Sequence, residues 1–220
     1  MKPSLIQVLS SALAAAVFGL CGCTHQQLLS PVARAFGVPP ESELAVCRAA
    51  YARLQGRLSA SRVLVEPVMY AQGNQRQWRG DLARALARES GARMKVRLEA
   101  AGSPPEVGFP QMMYHNQLRY LWDRSRDYAR SVKAAPPAAD YVSFVEIFVG
   151  SPSGQKVQVA AIQVYVFDDQ GQLAYCRLYN GAHFGNLSPE GDAVINFVMG
   201  SFLDILRLAP EQAFPPYGVG

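Results

Sequence analysis

The stretch "ADYVSFVEIFVGSPSGQKVQVAAIQVYVFDDQGQLAYCRLYN", residues 139–180, decides the fold. It divides into three runs rich in Val, Ile, Phe and Tyr, "DYVSFVEIFVG", "KVQVAAIQVYVFD" and "QLAYCRLYN", each long enough for a strand. Their connections, "SPSGQ" and "DQG", are short and built of turn-forming residues, so the three strands are expected to pair as an antiparallel meander.

Upstream of the meander the periodicity alternates between helix and strand. From Ser42, the residues Leu44, Cys47, Tyr51, Leu54 and Leu58 recur three and four apart on one face, while Arg48, Arg53 and Arg57 fall off it. "SRVLVEPV", residues 61–68, reads as a buried strand. After a polar loop, Trp78, Leu82, Ala85 and Glu89 mark the inward or boundary side of a helix closed by Gly91. "ARMKVRLE", 92–99, alternates as a further strand, and "AAGSPPEVGFP" breaks it. A helix over 111–133 follows, with Tyr114, Leu118, Leu121, Ser125, Tyr128 and Val132 at helical spacing. Downstream, Ser188-Pro189 is an N-cap with proline at the first helical position, opening an apolar helix to about Leu208.

Long connections that carry helices make neighbouring strands parallel, and the meander makes them antiparallel. The fold class is therefore α/β in the α+β sense: a mixed sheet of about five strands with helices packed on it, ending in the three-strand meander and a C-terminal helix. Residues 41–209 form one domain, and 210–220, "PEQAFPPYGVG", form a proline-rich tail.

At the other end, Lys2 precedes sixteen largely apolar residues from Leu5 to Leu20, interrupted by Gln7, Ser10 and Ser11. A membrane-spanning helix needs roughly 20 apolar residues, so this run is too short and reads as a targeting segment. Leu20-Cys21-Gly22-Cys23 resembles the bacterial lipoprotein signal, a Leu and two small residues before a Cys, with cleavage before that Cys. Cys21 fits badly as the modified residue, because it sets the bulky Leu20 at the cleavage position. The resemblance implies a signal peptide over 1–22, a diacylglycerol thioether and an amino-linked acyl chain (palmitate) on Cys23, and an acylated tether over 23–40. Several buried acyl chains, at about 0.8 kcal/mol per CH2, hold a protein to a bilayer as a single chain does not. Thr24 in place of Asp after the Cys implies the outer membrane, facing the periplasm.

That address bears on charge and cysteines. The formal charge of +4 is too mild to argue for nucleic acid. In an oxidising compartment the two remaining thiols, Cys47 and Cys176, can pair; the alternative is two separately buried thiols.

A second resemblance covers residues 60–208. "RVLVEPV", "WRGDLARALARESGARMKV", "ADYVSFVEIFVG" and "VYVFDDQGQLAY" resemble the fold of the TolB amino-terminal domain and of several lipoproteins, among them LpoB, CsgG, PelC and a related neisserial lipoprotein family. Ala139-Asp140 opens the third strand, and Asp168-Asp169 makes the acidic turn of the meander. The resemblance implies a non-catalytic envelope accessory protein, a scaffold, activator or secretion component.

Motifs for chemistry are sparse. His25, His115 and His183 have no metal-ligand spacing, and no GxSxG, P-loop, GxGxxG or CxxC occurs. No catalytic, cofactor or metal residue is assigned. Asp168-Asp169-Gln170-Gly171 lacks the spaced acids of a calcium loop and reads as a solvated turn. Glu66, Glu99, Glu106, Asp140 and Glu146 are acids that a fold can bring together as a glycan-cleaving pair. Glu146, inside an apolar strand, faces either solvent or an Arg partner, or else carries a raised pKa.

A partner surface is expected on the helix after 118. There Arg119, Arg124, Arg126, Arg130 and Lys133 outnumber Asp123 and Asp127, and Trp122 lies one residue off the buried stripe. The alternative is a solvated helix laced by Arg119–Asp123 and Asp127–Arg130 pairs. The sequence thus reads as an outer-membrane, periplasm-facing lipoprotein without enzymatic activity. It would work through an envelope protein partner or a second copy of itself, with the membrane engaged through Cys23. A periplasmic glycan-binding or glycan-active protein, and an auxiliary lipoprotein of an ABC-type lipid transport system, are the alternatives.

Overall fold

The computed structural model describes residues 38–93, 96–109, 117–150, 157–189 and 192–215. Its elements in chain order are α1 (Glu41–Arg57), β1 (Arg62–Val65), β2 (Val68–Gln72), β3 (Gln75–Arg79), α2 (Gly80–Arg93), β4 (Arg97–Ala100), α3 (Gln117–Ala134), β5 (Tyr141–Gly150), β6 (Gln158–Asp168), β7 (Leu173–Asn180), α4 (Gly181–Phe184) and α5 (Asp192–Asp204).

The meander forms as its sequence demands. β5 pairs antiparallel with β6 from Tyr141/Asp168 to Gly150/Gln158, and β6 pairs antiparallel with β7 from Ala161/Asn180 to Phe167/Leu173. Asp168 fastens the second turn by accepting from the backbone N–H of Gln170 (3.1 Å) and Gln172 (2.8 Å), so this acidic pair builds a turn. Gly171 sits there at φ 72°, and a Cβ at that position would stand 2.9 Å from the Ala129 carbonyl oxygen. Only glycine allows both the left-handed turn and its close approach to α3.

β5 is the axis of the sheet. Its free edge pairs in parallel first with β1 (Val63/Tyr141 to Val65/Ser143) and then with β2 (Met69/Glu146 to Gln72/Val149). β1 and β2 therefore lie along one line, interrupted at Glu66-Pro67, where proline has no N–H to offer a ladder. On the outer edge of that line β4 pairs in parallel with β1, and β3 pairs antiparallel with β2. Seven strands thus occupy five lateral positions, and the sheet is mixed, with helices on it and a C-terminal helix.

Three local differences from the sequence reading have plain causes. Residues 68–79, read as strand end and polar loop, are the β2–β3 hairpin, turned at Gly73 (φ 56°). "QRQWR" is polar because β3 is an edge strand, so it lacks apolar alternation. Trp78 accordingly sits on β3, and the buried stripe of α2 is Ala83, Leu86 and Ser90, one residue out of phase with the predicted one; Gly91 lies inside this helix. The chain beyond 209 is not a loose tail as far as Phe214. Ala213 and Phe214 are buried, the Ala213 carbonyl accepts from the Cys176 N–H (3.2 Å), and Phe214 packs edge-on against Tyr51. This strap covers part of the open edge of β7, which a bare strand would leave ready to pair. The predicted first turns of α3 lie outside the described residues.

The two faces of the sheet are covered unequally. On one, α1 packs through Tyr51 on Tyr175, α5 through Phe197 on Tyr179, and α2 joins α5 through the Arg93–Asn196 hydrogen bond (2.7 Å). Tyr51 also donates to the Ile205 carbonyl (2.8 Å), tying α1 to the end of α5. On the other face α3 is the one long helix among the described residues, and it lies over β5 and β6. Tyr128 stacks on Phe144 at 4.0 Å and meets Tyr165 edge-on at 5.2 Å, while Tyr120 meets Phe148 at 5.8 Å. Each such ring contributes roughly 1.5–3 kcal/mol by leaving water.

Candidate functional site

Beneath α3 lies a buried ion pair. Glu146 points from β5 toward the helix, and Arg124 points from the helix toward the sheet; they are 0% and 1% exposed, respectively. Arg124 Nε donates to Glu146 Oε1 (2.8 Å), the Tyr128 hydroxyl donates to the same oxygen (2.7 Å), and Arg124 Nη2 donates to the Tyr128 oxygen (2.8 Å). Burial is the largest influence on Arg124 and lowers its pKa, but the Glu146 charge and hydrogen bond together with Tyr128 and Tyr120 more than offset it, and the guanidinium is held above its ordinary value. Burial, reinforced by the Glu146 charge, pushes the Tyr128 phenol well up, so it remains a donor at every physiological pH.

The remaining arm of the guanidinium reaches outward. Arg124 Nη1 donates to the Gly108 carbonyl (3.1 Å) and stands 3.6 Å from Asp127 Oδ2. Phe109, the next residue, rests against Trp78 of β3 with ring centroids 5.1 Å apart. Two anchors, one polar and one aromatic, therefore fix the end of the loop that leaves β4 at Ala101.

That loop, the C-terminal half of α3 and the adjoining parts of β1 and β5 enclose a cleft of about 1050 Å³. Its floor is Leu64, Glu66, Val142 and Phe144, its helical wall presents Asp127, Arg130 and Val132, and its loop wall presents Glu106, Val107 and Phe109. The cleft exists because α3 covers only the meander half of this face, leaving the β1 strip with no helix of the described residues over it. Glu66 sits at the β1–β2 break, where its backbone N–H donates to the Ser143 carbonyl (3.0 Å). Its carboxylate has no hydrogen-bond or ion-pair partner among the described residues. Burial raises its pKa from 4.5 to about 7, and desolvation alone accounts for the shift. Arg130 pairs with Asp127, so that acid is engaged by both Arg124 and Arg130.

The residues predicted as a partner surface separate into two groups. Trp122 is 1% exposed and belongs to the core, so it is not a surface anchor. α3 buries Tyr120, Leu121 and Trp122 in succession, so its buried arc is wider than a single stripe. Arg119, Arg126 and Arg130 do face solvent, but Asp123 lies 3.6 Å from Arg119 and 2.9 Å from Arg126, and Arg130 pairs with Asp127. Both ion pairs of the alternative reading are present, so the exposed arginines of this face are engaged along the helix itself, though bases still outnumber acids on it. Arg124, grouped with these arginines by charge, is the buried partner of Glu146. Its spacing of three from Leu121 and four from Tyr128 places it on the buried stripe, a signal the sequence carried.

The other acids do not converge on one centre. Glu99 is held by Arg62 (2.7 Å) and Arg97 (2.9 Å), Asp140 accepts from the Arg62 N–H (2.8 Å), and Glu146 is enclosed, whereas Glu66 and Glu106 share the cleft. Cys47 and Cys176 are free thiols, both buried. The register opposes Cys176 to Tyr165 on the α3 face, whereas α1, which carries Cys47, packs on the opposite face. Burial, then the nearby Glu43 charge, pushes the Cys47 thiol up to about 11, and burial raises Cys176 strongly as well. Cys23, with the signal segment 1–22 and the tether to residue 37, lies outside the described residues.

The fold so described is that of a single mixed sheet with helices on both faces. Among solved structures, the chain is similar to the lipoprotein GNA1162 from Neisseria meningitidis (14% identity, 66% of this chain and 96% of that one, TM-score 0.34). It is also similar to the C-terminal domain of LpoB from Salmonella enterica (16% identity, 60% and 92% covered, TM-score 0.32). No protein-family model and no curated protein matches the chain.

Proposed function

We propose that the protein is a lipoprotein anchored to the outer membrane through acylated Cys23, facing the periplasm, and that it acts as a non-catalytic accessory factor in envelope assembly, secretion or transport. The observation that carries the functional half of this reading is the cleft. It is fixed by the buried Arg124–Glu146 pair, it is open to solvent, and it holds one half-buried acid, Glu66, free of any partner among the described residues. A preorganised recess around a half-buried, unengaged carboxylate suits the capture of a partner group. The anchoring half is supported by Leu20-Cys21-Gly22-Cys23 followed by Thr24.

The test has two stages. Wild type and Cys23→Ala are compared by intact mass and membrane fractionation; acyl mass in the outer-membrane fraction of wild type alone is the expected result, and an unmodified soluble wild type overturns the anchoring. A photocrosslinker at position 106, on the rim of the cleft, is then expected to trap an envelope protein. Capture of a permease or a substrate-binding protein would assign the chain to a lipid transport system.

A glycan-active reading has one observation in its favour, the raised pKa of Glu66 in a cleft that also holds Glu106 and Asp127. Release of reducing ends from purified cell-wall glycan by wild type, abolished in Glu66→Gln, would establish it. No release is the outcome the accessory reading expects.

A further inference from the structure

We propose that the cleft seats a peptide segment of the partner protein by placing one basic side chain, lysine or arginine, against the Glu66 carboxylate, with apolar residues on either side of it on the cleft floor. This inference rests on the accessory-factor reading above and names the chemistry of its partner.

Charge complementarity identifies the occupant. Three carboxylates and one guanidinium line the cleft, and that guanidinium, Arg130, is already joined to Asp127. From α3 the charged groups facing the cleft are thus Asp127 and Arg130; from the loop, Glu106 at the exposed rim; from β1 and β5, Glu66 alone. Farther along the same face, Arg62, Arg97 and Glu99 of β1 and β4 satisfy one another. Of the two acids left without a partner, Glu106 is exposed to water and Glu66 is half-buried, so the unmet demand inside the cleft is a positive charge at Glu66. A cation arriving there gains a partner that the fold has already desolvated, so the cost of drying the carboxylate is met in the free protein.

The surroundings decide between a peptide and a free polyamine. Half-buried Leu64 and Val107 and exposed Phe109 give the cleft its accessible apolar surface, over a base of buried Val142 and Phe144. A polyamine needs carboxylates spaced along its length, and here the second and third acids are an ion-paired residue and a rim residue. One cation between apolar side chains matches an amphipathic peptide, and the volume of about 1050 Å³ admits several residues of it.

The full-length acylated protein in detergent, labelled with carbon-13 at glutamate carboxyls, tests this directly. The Glu66 resonance is identified by its absence in Glu66→Gln. The probes are Nα-acetyl-lysine methylamide, its norleucine counterpart and spermidine. Binding of the lysine probe is expected to tighten about tenfold between pH 5.5 and pH 8, as Glu66 ionises, and to lower the midpoint of the Glu66 titration. Glu66→Gln is expected to reduce binding at pH 8 to the norleucine level, while Glu66→Asp and Glu106→Gln retain most of it. Equal binding of lysine and norleucine probes, or full binding by Glu66→Gln, overturns the proposal; tighter binding of spermidine overturns the peptide assignment. Loss of probe binding with Cys23 acylation and partner crosslinking intact sinks this inference alone. Loss of acylation and crosslinking with probe binding intact sinks the accessory reading instead.

Discussion

Glu146 and Glu66 stand on the same face of the same sheet, on adjacent lines of strand, and they have opposite fates. Glu146 lies where α3 crosses β5, out of contact with solvent, and Arg124 and Tyr128 both donate to its carboxylate. Glu66 lies one strand over, beyond the edge of the helix, and nothing among the described residues was brought to it. Burial raises its pKa to about 7. The covered half of this face joins its two charged groups to each other, and the open half leaves the Glu66 carboxylate without a partner among the described residues. The two halves are also mechanically joined, since the same guanidinium that satisfies Glu146 holds the Gly108 carbonyl in the wall of the cleft.

The comparison can be broken most severely at the covered half. Glu146→Ala strands a buried guanidinium and is expected to cost about 3–5 kcal/mol in chemical denaturation, with Arg124→Ala similar. The paired change Arg124→Met with Glu146→Leu is expected to recover most of that stability, while the Gly108 wall, now unanchored, shows faster amide exchange. Recovery of stability without any change in exchange would separate the two halves. Second in size is Phe214→Ala, which empties the site under Tyr51 and should cost about 3 kcal/mol; a loss below about 0.5 kcal/mol would return the strap to the status of a tail.

At the open half the effect is smaller and depends on pH. Glu66 has a folded pKa raised from 4.5 to about 7, so the native state favours its protonated form. Its contribution is most favourable below the unfolded value and is lost as pH rises through about 7. Glu66→Gln should therefore match wild type near pH 4 and exceed it in stability at pH 8, by about 1 kcal/mol once partial exposure is discounted. A difference that does not change with pH would remove the desolvated carboxylate from the account. Smallest of all, Arg119→Ala and Arg130→Ala on the solvated face of α3 are expected to change stability by less than about 0.5 kcal/mol, the usual scale for exposed pairs.

Much of this architecture was legible in the chain. Strand-length runs of branched and aromatic residues with short turns fixed the meander, and the spacing of Leu44, Cys47, Tyr51 and Leu54 fixed α1, because local periodicity is what a covered strand or half-buried helix imposes on sequence. The hairpin at 68–79 was hidden because an edge strand need not alternate, and Trp122 misled because a single-stripe count assumes a narrower buried arc than α3 has. Of the site, the chain offered Glu66, Glu106 and Glu146 as acids and Arg124 as one arginine among five. Which acid meets that arginine depends on where α3 crosses β5, a contact between residues 22 apart in sequence.

The division follows from the range of the forces. Sequence by itself determined most of the elements, the meander and the fold class, all of which rest on neighbours along the chain. Tertiary structure alone decided that Glu146 is paired and Glu66 is not, that Trp122 is core, and that Cys47 and Cys176 lie on opposite faces. Each of those depends on how far one helix extends across one face of the sheet, and desolvation and ion pairing respond to that distance in space.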